Sequence, residues 1–260
     1  MKFLNVIVGI LVFVITIIYY KATKDYSIRY KPKTTKVANT LLIVNIINSI
    51  FIGYLSSNIN AFFFGFGLFI GLVINYLVLK GQLRAAQSLS DKNWLRGSSF
   101  LKNKFKWKNI DWKLILKLNI ILFIWTLVVF KLGNPEIKPS LLKKSTQDPI
   151  WIFIISNVLS FYFLAPIREE VIFRFLGVNL FLHWIGKSKI NKKIAVIIPT
   201  LIWTLLHTGV LTNNLLKYIQ VLPLGIACGY LLYKKDIEHS ILLHITFNVL
   251  ATLNALILFK

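Results

Sequence analysis

Long apolar runs alternate with polar connections along the whole chain. Most of the runs reach or approach the roughly 20 residues that a helix needs to cross a bilayer's hydrocarbon core, and about eight of them can be counted. The candidate spans are 3–20, 37–55, 61–79, 114–131, 150–185, 193–209, 217–234 and 239–259. The pattern therefore predicts an all-α fold, a polytopic transmembrane helix bundle.

The first run, from Phe3 to Tyr20, is predicted to be a retained span. Only Lys2 precedes it as a charged residue, and no small-residue cleavage site follows it. A cleaved signal peptide normally carries such a site. No Gly/Ser-rich linker divides the chain, so residues 1–260 are predicted to form a single transmembrane domain.

The run 150–185 is too long for one straight span and short for two, at about 1.5 Å per helical residue. Pro166 is expected to break it, because proline lacks an N–H and clashes with the preceding helical turn. One broken crossing predicts about eight spans with both termini outside. Two crossings would instead place the later basic connections, 187–193 and 234–235, on the outer side of the membrane and not in the cytoplasm.

The composition agrees with a lipid environment. Hydrophobic residues make up 56% of the chain and charged residues only 15%, whereas soluble domains average about 25% charged. The single cysteine, Cys228, lies in an apolar run. An intramolecular disulfide is therefore impossible, and cysteine usage does not indicate a redox compartment.

The formal net charge of +22 would favour nucleic-acid binding in a soluble protein. Here the basic residues lie between apolar runs, where they set orientation and attract anionic lipids, so no nucleic-acid partner is predicted. The basic connections 21–36 and 80–113 are expected in the cytoplasm. In the second, lysines alternate with Phe105, Trp107 and Trp112. This mixture fits a membrane-surface segment or, equally, a solvated loop.

Two of the nine acidic residues are neighbours, Glu169 and Glu170. Glu170 and Arg174 are four residues apart, so on a helix they share a face and can pair. Glu169 points about 100° away and is free to act as a general base. An ionisable group inside a span is a candidate functional site. The alternative is an interfacial helix start with solvated glutamates.

The histidines supply the remaining candidate chemistry. His207 is the only ionisable side chain from Ile194 to Val210, and His244 lies inside the run 239–259 with Asn248 one turn later. His183 and His239 lie near the ends of runs, so they are not counted as site residues. We expect Glu169, His207, His244 and Asn248 to line one cavity, because burying polar groups separately costs more.

Such a cavity could hydrolyse an acyl bond in two ways. Glu169 with a histidine can deprotonate water, while a histidine N–H and the Asn248 amide stabilise the oxyanion. Alternatively, Glu169, His207 and His244 could bind zinc with an open position for water. Asn is an uncommon zinc ligand, which favours the metal-free arrangement, but the cofactor, none or Zn, stays open.

The motifs Glu169-Glu170-x-x-x-Arg174, Trp203-x-x-x-His207 and His244-x-x-x-Asn248 occur in that order within 150–260. The set resembles the CPBP family of intramembrane proteases, which includes type II CAAX prenyl endopeptidases and bacterial bacteriocin-processing and self-immunity proteins. Trp203 replaces the family's usual Phe. The resemblance implies that Glu169 and His207 activate water, that His244 and Asn248 form the oxyanion site, and that Glu170 and Arg174 orient it.

The resemblance implies an intramembrane endopeptidase in the bacterial plasma membrane, acting on a peptide or lipid-associated protein. Lysine-rich loops indicate a low-GC bacterium, which favours bacteriocin maturation or immunity over CAAX processing. The competing class is non-catalytic: an immunity or partner-binding protein, or a proton-coupled transporter, since intramembrane Glu and His also relay protons. A transporter should show matching broken helices in two halves, and none is apparent. Gly225-x-x-x-Gly229 predicts close helix packing, within the chain rather than between chains.

Overall fold

The computed structural model describes most of the chain beyond residue 30, and the statements below concern those residues. They are 31–55, 61–136 without 94, 96 and 103, then 155, 158–208 and 211–258. The predicted first span, Phe3 to Tyr20, lies outside them. All secondary-structure elements of the described residues are helices, which confirms the all-α prediction.

Seven helices, numbered here in chain order, make up the described part of the chain. They are α1 (Lys31–Leu55), α2 (Ala61–Lys92), α3 (Trp112–Gly133), α4 (158–185), α5 (Lys189–Leu205), α6 (Asn214–Lys234) and α7 (Ile237–Leu258). Two of them, α3 and α6, are long and apolar enough to cross a membrane. The count of about eight spans stays a prediction.

Side-chain caps mark where several helices begin. Asp111 accepts a hydrogen bond from the Leu114 N–H ahead of α3, and Asn213 accepts one from Leu215 ahead of α6. Asp236 accepts one from the His239 N–H ahead of α7. Such caps satisfy amide groups that a helix leaves free at its start. At the other end of α4, Gly186 has φ +88°, a conformation that favours glycine and ends the helix.

The predicted break at Pro166 is wrong. Helical backbone continues through the proline, because π-helical turns precede and follow it and the wider π turn accommodates a residue without an N–H. The segments of α4 are π-helical Val158–Leu164, α-helical Ala165–Glu169, π-helical Glu170–Val178 and α-helical Asn179–Ile185. One continuous element favours a single crossing over two.

Two predicted boundaries also shift. The run 80–113 was predicted to be a connection, but α2 extends to Lys92 and its last turns are buried, with Ala85, Ala86 and Gln87 fully inaccessible. Small residues there let α4 pack closely. The run 193–209 was predicted to be one helix, but α5 ends at Leu205, and His207 lies in the turn that follows.

The aromatic part of the same connection remains at the surface, as the sequence predicted. Trp107 and Trp112 are well exposed and their rings stack, with centroids 6.4 Å apart. Phe105 contacts Trp107 edge-on. An exposed pair of tryptophans between lysines suits the head-group level of a membrane.

Two apolar cores flank the region where the candidate residues lie. One packs α2 against α4, around Leu83 and Phe175, and the other packs α3, α6 and α7 around Leu224 and Phe247. A Cβ at Gly225 would come within 2.6 Å of Thr200 Cγ2 and 2.7 Å of the Arg174 guanidinium. The glycine pair therefore lets α6 approach α5 and α4, which confirms the prediction of packing within the chain.

Candidate active site

A cavity of about 350 Å³ opens where α4, α6, α7 and the end of α5 meet. Its polar lining includes all four residues expected to act on a substrate, and its walls are mainly apolar and aromatic. The lining includes Phe161, Glu169, Phe173, Trp203, His207, Lys217, Val221, His244, Phe247 and Asn248. The prediction that Glu169, His207, His244 and Asn248 share one cavity agrees with the structure, while their catalytic roles stay predictions.

The Glu169 carboxylate lies at the centre of this group. Its Oε2 is 3.9 Å from His207 Nε2 and 3.8 Å from His244 Nε2. The same oxygen accepts a hydrogen bond of 2.6 Å from Trp203 Nε1. The glutamate side chain is 28% exposed, so it is held in place while still reachable from the cavity. Gaps of nearly 4 Å are too long for direct hydrogen bonds and can be bridged by water.

The tautomer of His207 follows from its partner. Nδ1 lies 2.9 Å from the Trp203 carbonyl oxygen, which can only accept, so Nδ1 carries a hydrogen. In the neutral ring Nε2 is then an unprotonated acceptor facing Glu169. The ring also stacks edge-on against Trp203, with centroids 4.3 Å apart. His207 is thus oriented to accept a proton at Nε2.

His244 is held from the opposite side by Glu170. Its Nδ1 lies 2.8 Å from Glu170 Oε1, and it is only 3% exposed. Glu170 is completely buried, and Arg174 Nη1 lies 3.3 Å from the same carboxylate oxygen. The predicted Glu170–Arg174 pair is therefore present. The alternative of two solvated glutamates at an interface fails for Glu170.

Arg174 and Ser240 complete the support around Glu170. Ser240 Oγ donates to Glu170 Oε2 at 2.5 Å. The Arg174 guanidinium lies over the Trp203 ring, with Cζ 4.0 Å from its centroid. The buried carboxylate thus contacts a cation, an imidazole and a hydroxyl. A buried charge needs such partners to offset its desolvation.

Asn248 closes the end of the cavity. One hydrogen of its amide is donated to the Phe161 carbonyl oxygen at 3.1 Å. Because a primary amide carries two hydrogens, one remains to donate elsewhere. Asn248 also lies one turn after His244 on α7, so both groups reach the cavity from the same helix face.

Sequence reasoning missed three residues of the site. Trp203 was noted only as a replacement for the family's usual Phe, yet its indole N–H binds Glu169 and its ring contacts both site histidines. Ser240 precedes His244 by four residues, and that spacing was a readable signal. Lys217 gave no signal, because it lies at the polar start of an apolar helix. Its side chain is half-buried and lines the cavity.

The donor geometry does not fit a zinc site as the side chains stand. Among the described residues, no group of three or more His, Cys, Asp or Glu side chains is arranged to hold a metal ion.

A second group of acids and histidine lies away from this cavity, at the turn between α6 and α7. We call it the turn cluster: Asp236, Glu238 and His239 with Ser98 and Ser99. His239 Nδ1 lies 2.5 Å from Asp236 Oδ1, and its Nε2 accepts the Asp111 N–H at 3.0 Å. Both ring nitrogens are engaged. His239 therefore has a structural role here, in agreement with its omission from the predicted site.

Glu238 ties the same turn to the segment after α2. Its carboxylate accepts from Ser98 Oγ at 2.6 Å and from the Ser99 and Phe100 N–H groups at 3.1 and 2.9 Å. Burial, followed by the charge of Asp236, raises the pKa of Glu238 above its ordinary value. Asp236 behaves oppositely. Burial alone would raise its pKa, but hydrogen bonds from His239 and Ser99 outweigh burial and lower it.

Comparison with known proteins identifies the part of the chain that holds the cavity. Residues 149–250 match the family described as type II CAAX prenyl endopeptidase Rce1-like. No curated protein and no solved structure matched the chain. The matched range contains all six residues singled out from the sequence, Glu169, Glu170, Arg174, His207, His244 and Asn248. Over 149–250 the chain is thus similar to the Rce1-like type II CAAX prenyl endopeptidases, a family of intramembrane proteases, which agrees with the resemblance carried by its motifs.

Proposed function

We propose that this protein is an intramembrane endopeptidase that hydrolyses a peptide bond with water activated by Glu169 and His207. The observation that supports it most is the position of one carboxylate oxygen between two imidazoles. Glu169 Oε2 lies 3.9 Å from His207 Nε2 and 3.8 Å from His244 Nε2, inside a cavity with mainly apolar walls. That spacing leaves room for a water molecule among the three groups.

Water activation uses the acceptors that face this space. The Trp203 carbonyl fixes the His207 hydrogen on Nδ1, so Nε2 can accept a proton. The Trp203 indole holds Glu169 Oε2 in place. As water attacks the scissile carbonyl carbon, its proton passes to Glu169 or His207. The same group later protonates the leaving amine.

Oxyanion stabilisation uses the donors from α7. Glu170 orients the His244 ring through Nδ1, and a hydrogen on Nε2 can then be donated to the developing oxyanion. Asn248 contributes its second amide hydrogen. Arg174 and Ser240 act as positioning residues, because they touch Glu170 and not the substrate. The arrangement supports the metal-free mechanism.

The setting we propose is the plasma membrane of a bacterium, crossed by about eight helices. The substrate is a peptide or a lipid-associated protein at the membrane, with bacteriocin maturation or self-immunity favoured over CAAX processing. Basic connections, including the lysines around Trp107 and Trp112, are expected to contact anionic lipids at the cytoplasmic face.

Glu169→Gln tests the proposal. Gln keeps the shape and the hydrogen bond from Trp203 but removes the base. Cleavage should therefore fall by at least about a hundredfold. The amount of folded protein should hardly change, because a neutral amide is cheaper to bury than a carboxylate. The assay uses protein in lipid nanodiscs with a randomised peptide library, and mass spectrometry identifies the products.

Glu136→Gln is the matched control, because Glu136 is exposed and does not line the cavity. Its cleavage rate should equal that of the wild type. If Glu169→Gln cleaves as fast as Glu136→Gln, the protease mechanism is wrong. Should neither wild type nor variant cleave any peptide while the host phenotype survives Glu169→Gln, the protein acts by binding.

A further inference from the structure

The cavity contains a lysine that the proposed cleavage chemistry does not use. Lys217 lies in the first turn of α6, and its side chain lines the same space as Glu169 and His207. Its Nζ donates to Gln220 Oε1 at 2.9 Å, and Gln220 is 1% exposed. The ammonium is therefore held at a defined place on the cavity wall by a buried amide.

This cation has no anionic partner within the part of the chain that the structure describes. No carboxylate there lies within ion-pair distance of Nζ, although its charge is near enough to act on both Glu169 and His207. A half-buried ammonium in an apolar setting is costly unless a counter-charge or polar partner offsets its desolvation. One neutral hydrogen-bond partner leaves two of its three hydrogens free to bind something else.

We propose that Lys217 binds a carboxylate of the substrate and thereby selects peptides that carry a negative charge close to the scissile bond. This inference rests on the proposed function and names its substrate class. The carboxylate can be the free C-terminus of the peptide or an Asp or Glu side chain. The position of Lys217 in the first turn of α6 adds the positive end of the helix dipole to the ammonium charge.

The size of the cavity limits where that charge lies in the peptide. A space of about 350 Å³ is on the order of 9 Å across, and an extended peptide advances about 3.3–3.6 Å per residue. A carboxylate on Lys217 is therefore within about three residues of a bond held at Glu169. The enzyme should prefer cleavage near a C-terminus or beside an acidic residue, and peptides without either should be poor substrates.

Matched peptides separate the two sources of the carboxylate. One pair differs only in a C-terminal acid or amide. A second pair, with the amide end, carries Asp or Asn within three residues of the cleaved bond. Wild-type kcat/KM should be about 10- to 100-fold higher for the charged member of at least one pair, because a charge-assisted hydrogen bond is worth about 1.5–3 kcal/mol. The pair that shows the preference identifies the source.

Lys217→Met removes the charge and keeps the length of the side chain. It should abolish the preference by lowering kcat/KM for the charged peptide only, whereas Lys217→Arg should retain it. An equal loss on charged and uncharged peptides, or a preference that survives in Lys217→Met, overturns the proposal. A pH profile that shifts equally for all peptides while the charge preference stays unchanged also overturns it, because Lys217 would then act only through Glu169 and His207.

Binding to the Glu169→Gln protein provides a readout that does not depend on cleavage. Fluorescence anisotropy of the labelled peptides should show the same charge preference with Lys217 present and lose it in Glu169→Gln/Lys217→Met. A charge preference in binding without any cleavage by wild type would overturn the proposed function and leave the role of Lys217 intact. Equal binding of charged and uncharged peptides overturns the role of Lys217, whatever the cleavage result.

Discussion

The cavity and the turn cluster contain the same residue types. They differ in how many of the hydrogen-bonding atoms of those residues already have a partner within the protein. In the turn cluster, His239 bonds through both ring nitrogens, and Glu238 accepts three hydrogen bonds between 2.6 and 3.1 Å. In the cavity, the Nε2 atoms of His207 and His244 face Glu169 across gaps of nearly 4 Å. His239 therefore has no ring nitrogen left for a ligand, whereas His207 and His244 each have one.

The number of free hydrogen-bonding atoms therefore distinguishes a cluster that stabilises the fold from one that can bind and act on a ligand, even when both contain the same residue types. A closed network rigidifies a turn and contributes stability. An open one keeps acceptors and donors directed at a shared space, where a water molecule and a substrate can take the remaining bonds. The predictions below start from this contrast.

The largest expected effect comes from exchanging one histidine in each cluster. His207→Gln should lower peptide cleavage by roughly 10²- to 10⁴-fold, because it removes a proton acceptor, with little change in Tm. His239→Gln should do the reverse. It leaves one buried partner unpaired, which costs about 1–3 kcal/mol, and cleavage by the folded fraction should be unchanged. Cleavage assays and thermal unfolding on the same preparations measure both.

A mixed outcome would remove the contrast. If His239→Gln abolishes cleavage by protein that is still folded, the turn cluster takes part in the chemistry. If His207→Gln unfolds the protein, the cavity histidine is structural instead.

Glu170→Gln should have the next largest effect, and it should lower the stability of the folded protein. It removes the counter-charge of Arg174, which is 1% exposed, and breaking a buried ion pair from one side costs about 3–5 kcal/mol. We expect less folded protein in detergent by size-exclusion chromatography. Glu170→Gln with Arg174→Met should recover part of the loss, since no charge is then stranded. No recovery in the double variant would mean that the pair is not the cause.

The turn cluster should show two opposite pH dependences of stability. The folded pKa of Asp236 is lowered, so the stability that it contributes is present above its unfolded pKa and is lost as pH falls through the folded pKa. The Tm difference between wild type and Asp236→Asn should therefore shrink on acidification below about pH 4. The folded pKa of Glu238 is raised, so wild type should lose stability relative to Glu238→Gln as pH rises through that pKa. Differences that stay flat from pH 3 to 7 would contradict both assignments.

The smallest expected effect is that of a metal chelator. The metal-free mechanism predicts that purified protein retains its cleavage rate in excess chelator and contains no stoichiometric zinc by elemental analysis. A rate that is lost in chelator and restored by zinc would instead assign Glu169, His207 and His244 to a metal.

The sequence could predict which residues line the cavity because burying an ionisable group in an apolar run costs free energy. Such a group therefore usually faces the interior of the helix bundle. Glu169, His207 and His244 stood out on that ground, and Asn248 stood out as a polar residue one helical turn after His244. Glu170 and Arg174 followed from helical spacing. The role of Trp203 could not be predicted, because tryptophan is common in membrane helices. Its indole N–H indicates a role only when the position of the acceptor is known.

Backbone detail was less predictable. Proline chemistry predicts a break at Pro166, but π-helical turns on either side absorb the missing N–H, and a sequence pattern does not reveal a change of helical pitch. The end of α2 was misassigned because the charges near Lys80 and Arg84 read as a connection. Buried small residues such as Ala85 and Ala86 instead let that helix continue into the core.

The order in which the cavity is built has a consequence for biogenesis. Glu169 lies on α4, but His244 and Asn248, which line the same cavity, lie on α7, which leaves the ribosome some 70 residues later. Until α7 inserts, the buried Glu170–Arg174 pair lacks the hydrogen bonds from His244 and Ser240. Under the proposed mechanism, a nascent chain would hold the general base without its oxyanion donors, so hydrolytic activity would begin only after the last of the described helices has docked. Such a delay would protect neighbouring membrane proteins from cleavage during synthesis.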